Sequence, residues 1–258
     1  MPTGCNSVGP VSESLIRAAI GVALLMVITT VVLAGARVPR RWSSLLAVLR
    51  GALQLAAISL VLRGVIEEPL WVACAIVVMF AVAVVTAARR LGFTWTRLGI
   101  VAGAMALGVT VALAIVFLAG AVEVDARNVL ALGGIVVGGA MTATTLAGRR
   151  LISGLGSRWA EVEAWLALGA TPRQATNDIA REAVGEALIP HIDQTRTTGL
   201  VTLPGAFVGA IFGGASPLEA ARFQIVVLAA ILTAGALAAT TLVFVLAPSS
   251  RPGSGGSR

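Results

Sequence analysis

Apolar and polar positions along this chain fall into long blocks rather than a short alternation. Apolar runs cover roughly residues 15–36, 43–62, 69–88, 98–121, 128–147, 199–214 and 218–247. A helix needs about 20 apolar residues to cross roughly 30 Å of hydrocarbon. Six runs meet or approach that length. The sixth, Gly199 to Gly214, would make a helix of only about 24 Å. The block pattern predicts an all-α membrane protein with about seven transmembrane helices. These form one membrane domain over residues 1–247, followed by a disordered tail of Ser, Gly, Pro and Arg at 248–258. The first run ends in the small residues Ala34-Gly35-Ala36, as a signal peptide would. Glu13 before it, its length, and Arg37, Arg40 and Arg41 after it favour a retained span.

One long polar stretch, residues 148–198, separates the fifth and sixth runs. Ser157 is placed to cap a helix carrying Trp159, Val162, Trp165 and Leu166 on one face. Gly169 supplies a left-handed stop. Thr171-Pro172-Arg173-Gln174 then reads as a capping box with proline at the first helical position. The second helix sets Ile179, Ala183, Val184 and Ala187 on one face and is expected to end near Pro190. The product is a helical elbow. The residues alone leave two readings open, a docking element for a partner and an amphipathic hairpin on the bilayer surface.

Charge sharpens the topology. The chain has 258 residues, is 57% hydrophobic and 12% charged, and carries a net charge of +7. Soluble domains are about 25% charged, so a water-soluble enzyme is disfavoured. All 19 basic residues are Arg. Fourteen lie in the loops and tail on one side of the expected spans, against four on the other, with Arg50 inside the second span. The positive-inside rule then places the N-terminus outside and the elbow and C-terminus in the cytoplasm of a multi-pass cell-membrane protein. The basic excess is topological, so nucleic acid is not an expected partner and membrane lipid is. Lysine is absent, so the chain cannot hold the P-loop Lys and is not itself a P-loop ATPase.

Candidate chemistry is sparse. Cys5 and Cys74 form no metal motif, and His191 is the single histidine. Acidic residues all fall in expected loops or span ends, which argues against a carboxylate-driven secondary transporter. Arg50 and Gln54, four residues apart, either line a cavity or have the Arg snorkelling to headgroups. Met26, Met79, Met105, Met141 and Cys74 offer soft atoms to a metal, or simply fill gaps. Gly133, Gly134, Gly138 and Gly139 suit a close helix contact. Thr142, Thr144 and Thr145 either face a path or bond back to helix carbonyls. Gly205, Gly209 and Gly213 form a small-residue ridge behind the Pro204-Gly205 break, a pattern of tight packing or of a transport pathway. Ser216-Pro217-Leu218-Glu219 is a second capping box, which gives Glu219 a structural role. His191 and Asp193 lack a nucleophile, so no catalytic set is assembled.

Several stretches resemble a known family. They are Arg50-x-x-x-Gln54-Leu55, Gly139-Ala140-Met141-Thr142-Ala143, Leu168-Gly169-Ala170-Thr171-Pro172-Arg173-Gln174-Ala175 and Ala187-Leu188-Ile189-Pro190-x-x-Asp193. Thr197-x-Gly199-Leu200-Val201-Thr202-Leu203-Pro204-Gly205 follows, with Pro217 and Gln224 beyond. Their order is similar to that of the FetB (YbbM)-type ABC-transporter permeases, iron exporters with plant relatives linked to aluminium tolerance. Gly139 stands where members often carry Asn. The general permease loop pattern E-A-A-x(3)-G-x(9)-I-x-L-P matches at Glu163-Ala164 and Gly169. Its I-x-L-P portion reads Ile179-Ala180-Arg181-Glu182 here, with Ile189-Pro190 later.

The resemblance implies a permease subunit that exports iron or a related metal ion. ATP and Mg would sit on a separate cytoplasmic ABC ATPase, with no cofactor on this chain and no enzyme activity of its own. Glu163, Ala164, Leu168, Gly169, Ala170, Thr171 and Pro172 would form the coupling element within the 148–198 loop. A permease homodimer is implied, with a translocation path past Arg50, Gln54, Met141, Thr142, Pro204, Gly205 and Gln224. No metal-ligand set is read from the sequence. The alternatives are an ABC permease for a different small solute, and a stand-alone channel or secondary transporter.

Overall fold

The computed structural model describes residues 9–37, 39, 42–65 and 68–247. The expected disordered tail, and the loop charges Arg40, Arg41 and Glu67, lie outside the described residues. Among those described, helices dominate and no β-strand forms, as the block pattern predicts. They group into two compact units that divide between Gly64 and Val65.

The first unit holds α1 (Gly9–Gly35) and α2 (Ser43–Val65). Neither gathers its apolar residues on a single face. Leu15, Leu24, Leu25 and Val31 of α1 and Leu53 and Leu55 of α2 are exposed. Such surfaces suit acyl chains, which are as apolar as leucine. The hydroxyls of Thr29 and Thr30 donate to the Leu25 and Met26 carbonyls at 2.8 Å, which hides them within the helix.

The second unit holds α3 (Pro69–Arg90), α4 (Trp95–Leu118), α5 (Ala126–Ser157), α6 (Trp159–Ala167), α7 (Pro172–Thr197), α8 (Gly205–Phe212) and α9 (Pro217–Leu246). Local chemistry sets the starts. Thr94 caps α4 by accepting from Arg97 N–H at 3.1 Å, and Asp125 caps α5 by accepting from Asn128 N–H at 2.6 Å. The Ser216–Glu219 box forms as expected at α9. At the arginine-rich end, Arg97 Nη1 donates to the Leu91 and Gly92 carbonyls at 2.7 and 3.0 Å, closing the exposed C-terminus of α3.

α4, α5 and α9 pack on one another around Met105, Leu132, Val136, Val227, Ala234 and Ala238. Small residues set the spacing. A Cβ on Gly108 would strike the Ala234 carbonyl oxygen, and one on Gly139 would lie 2.7 Å from Ile231 Cγ2. Gly133 and Gly134 likewise meet Ile76 and Met79 of α3, whereas Gly138 faces open space. The expected glycine contact is therefore real at three of its four positions.

Five helices, α1, α3, α4, α5 and α9, are long and apolar enough to cross a membrane. α2 has a shorter apolar stretch, Ser43–Ser59. The sixth apolar run differs from a simple span. Pro204 ends an irregular segment, and only α8, eight residues or about 12 Å, is helical. A Cβ on Gly205 or Gly209 would meet open space, so among the described residues no helix packs closely on those two glycines.

The polar stretch also departs from its expected boundaries. α5 continues through Ser157 as one 32-residue helix, about 48 Å long. Ser157 is therefore its last residue, not a cap; its hydroxyl donates to Gly154 O at 3.2 Å. α6 starts at a kink at Arg158 without a side-chain cap. α7 does not end near Pro190 but runs on to Thr197. An interior proline costs about 3 kcal/mol. Burial of Ala183 and Ala187 on either side of the same stripe, continued by half-buried His191, offsets it.

Candidate functional site

The elbow is built from its turn outward. α6 ends in a Schellman closure: Gly169 N–H donates to Leu166 O and Ala170 N–H to Trp165 O, both at 3.0 Å. This needs a left-handed residue, and Gly169 has φ +88°. Thr171 and Gln174 then cap each other's backbone, starting α7 at Pro172. The expected lining face of α6 divides. Val162 is buried against α5 and α7, Trp159 is half-buried, and Trp165 and Leu166 are exposed.

Charges fix the elbow to α5. Arg158 donates to both oxygens of Glu161, at 2.8 and 3.0 Å, and to Glu182 of α7 at 3.1 Å. Arg150 of α5 meets Glu186 of α7 at 2.9 Å. The hydrogen bond from Arg158 holds the Glu161 carboxyl below its ordinary range, and Glu161 in turn raises Arg158. Trp159 Nε1 donates to Glu163 at 2.8 Å.

The seven residues expected to couple to an ATPase come together at the tip. Glu163, Ala164, Leu168, Gly169, Thr171 and Pro172 are exposed, and Ala170 is half-buried. Leu168 is 80% exposed, a large apolar side chain presented outward. Beside it lies a groove of about 480 Å³ between α6 and α7, lined by Glu161, Trp165, Gln174, Asp178 and Ile179. Ile179 and Ala180, which stand in the I-x-L-P register, are buried and hold α7 to the bundle.

The second half of α7 is not a surface loop. A Cβ on Gly235 of α9 would lie 3.2 Å from Ala143 Cβ, 3.6 Å from Leu188 Cδ2 and 3.8 Å from His191 Cδ2. Further along, Thr198 and Gly199 share a cavity of about 210 Å³ with Pro204, Phe207, Gln224 and Leu228. Residues 188–199 therefore run antiparallel to α9 from Gly235 back to Gln224, alongside its middle. The 148–198 stretch is thus no uniform loop: it ends deep beside two spanning helices.

Asp193 falls between the two contact levels, opposite the centre of α9, and its side chain is exposed. Among the described residues its carboxylate has no hydrogen bond or ion pair; only its carbonyl accepts, from Thr197 Oγ1 at 2.9 Å. At that level a carboxylate facing acyl chains would cost about 2.5–3.5 kcal/mol. The sequence held a signal for this depth. The buried stripe Thr176, Ile179, Ala180, Ala183, Ala187 steps at helical spacing directly to His191, past the proline.

Of the residues expected along a path, Pro204 and Gln224 line the same cavity, and Gly205 begins α8 beside it. The cavity sits where α7 breaks: Gly199 takes φ +86° and its N–H donates to Thr202 O at 2.9 Å. Gln224 is 5% exposed with an unpartnered Oε1. Met141 is half-buried against the core, and Thr142 is exposed with its hydroxyl on Gly138 O at 3.0 Å. Neither lines that cavity. Arg50 and Gln54 are exposed on α2, in the first unit. Thr144, Thr145 and His191 also carry buried polar atoms without partners. Among the described residues no group of three His, Cys, Asp or Glu is arranged to hold a metal.

A helical bundle of this hydropathy, with a polar helix threaded beside its spans, defines a multi-pass membrane protein. The chain belongs to the uncharacterised protein family UPF0014, whose model matches residues 16–250. It is 39% identical over 186 residues to the rice (Oryza sativa subsp. japonica) UPF0014 membrane protein STAR2, a match covering 71% of this chain and 65% of that one. It is 36% identical over 203 residues to the Arabidopsis thaliana protein ALUMINUM SENSITIVE 3, covering 78% and 74%. It is also 36% identical over 134 residues to the probable iron export permease protein FetB of Escherichia coli, covering 52% of each chain. No solved structure matches it.

Proposed function

We propose that this chain is the membrane subunit of an ABC transporter that exports iron or a related metal ion, driven by a separate cytoplasmic ATPase. The observation that carries this reading is the elbow. Its tip presents Leu168 and Thr171 outward, while Arg158 and Arg150 tie it to α5 and α7. Force applied at the tip is transmitted along two long helices to the middle of the bundle. The chain has no Lys for a P-loop, so nucleotide and Mg would reside on the partner.

The arginine-rich end then faces the cytoplasm, with the N-terminus outside. Seven crossings follow if the sixth is composite, made by the second half of α7, the break at residues 198–204, and α8. A broken crossing with irregular backbone is characteristic of a transport path. One permease domain supplies half of that path, and a homodimer with two ATPases completes it. ATP-driven closure shifts the pair between inward- and outward-facing populations, through contacts that differ in the two states. One relative's name speaks of iron export and another's of aluminium sensitivity, which supports a metal ion as cargo.

The test is whether a cytoplasmic ABC ATPase co-purifies with the chain, followed by cellular metal content under iron load. Loss of the chain is expected to raise cellular iron, and Gly169→Pro to behave as a loss. An intact Gly169→Pro transporter, repeatedly isolated without any ATPase, would falsify the coupling. Unchanged content across a panel of cations would remove the metal assignment.

A further inference from the structure

α7 has two faces at the depth of the membrane. One, Ala183, Ala187 and His191, packs on α5 and α9. The other carries Gly185, Ile189, Asp193 and Arg196, all exposed. The level of Asp193 is set independently by His191 against Gly235 and by Thr198 beside Gln224. Lipid cannot solvate a carboxylate there, and ionisable groups at such depth face a partner or a water-filled cavity. No basic group among the described residues pairs with it; Arg196, one turn on, makes no ion pair.

We propose that the outward face of α7 walls an aqueous path and that Asp193 is its cation-contacting carboxylate, receiving a hydrated divalent metal ion. The inference rests on the permease reading and names the group that touches its cargo. Hard cations are commonly held by one or two carboxylates with retained waters. The exposed Gln194 beside it supplies an amide oxygen to the same water shell. This chemistry needs no His or Cys cluster, in keeping with the sparse ligands of the bundle. The positive charge of Arg196 weakens retention, and conduction requires a site weak enough to release.

Two readouts separate this site from the broader reading. The full chain in neutral-lipid nanodiscs is titrated with manganese, and free ion is followed by paramagnetic resonance. Wild type is expected to bind; Asp193→Asn should weaken binding at least tenfold, and Asp193→Glu should restore most of it. In proteoliposomes with the ATPase, Asp193→Asn should lose at least tenfold in manganese or ferrous transport, while Glu123→Gln, a carboxylate change in the turn between α4 and α5, keeps it. Equal binding by wild type and Asp193→Asn overturns the site even if transport is robust. Binding that depends on Asp193, with no ATPase association or transport, overturns the permease reading alone. Loss of the thermal unfolding transition in both Asp193 variants would make the residue structural and also overturn the site.

Discussion

His191 of α7 lies against Gly235 of α9, with its ring carbon 3.8 Å from where a Cβ on that glycine would stand. The same point is 3.2 Å from Ala143 Cβ. A single methyl therefore fits only if its neighbours yield slightly, and a branched side chain cannot fit. Gly235→Val is expected to lower stability by about 1–3 kcal/mol, the usual cost of overpacking. It should also lift α7 from the bundle, read as faster hydrogen exchange over residues 183–197. Gly235→Ala should stay near wild type in both measurements.

Gly108 offers a sharper contrast within the spanning core. Its Cβ would strike a backbone oxygen, Ala234 O, which cannot move aside as a side chain tip can. Gly108→Ala should therefore destabilise by roughly 1–3 kcal/mol. Gly138→Ala, where the added atom meets open space, should be neutral or slightly stabilising through helix propensity. Thermal unfolding of the two variants side by side checks the packing of α4 on α9. Equal melting temperatures would contradict it.

At the elbow tip, Thr171→Ala removes the acceptor for the Gln174 N–H. Loss of an N-cap costs about 1 kcal/mol. Because α7 is long and packs one face on the bundle beyond its first turn, the loss should stay local, fraying residues 171–175 without lowering the global melting temperature. ATPase association should weaken. Gly169→Ala, at φ +88°, adds about 1 kcal/mol of backbone strain and should act in the same direction.

The elbow was legible because its signals are local. The Thr171 box, the Gly169 stop and the buried stripe Ile179, Ala183, Ala187 each depend on residues within one or two turns. The depth of α7 was not legible by hydropathy. Its residues are polar on average, and a proline at 190 reads as a stop. What carries the helix past Pro190 is tertiary, the fit of Ala187 and His191 against Ala143 and Gly235 of other helices. Likewise the sixth apolar run looked like a short span because composition does not reveal that Gly199 and Pro204 break it into a turn and an eight-residue helix.

The ion pairs of Arg158 give the elbow a pH and salt dependence of defined sign. The hydrogen bond from Arg158 lowers the Glu161 carboxyl in the folded protein from its ordinary value of 4.5. A lowered carboxyl pKa contributes stability that is complete above the ordinary value and lost as pH falls through the folded one. Arg158 is shifted upward, so it stays charged throughout the accessible range. The pair is solvent-exposed and screened, so its contribution is small near neutrality and weaker in high salt. Hydrogen exchange over residues 159–171 should therefore be flat between pH 6 and 8, after correction for intrinsic rates, and rise below about pH 4.5. Arg158→Gln should raise protein-specific exchange at neutral pH and remove the acid dependence. Glu182→Gln should release only the α7 contact, leaving the bidentate pair with Glu161 and most of the acid response in place.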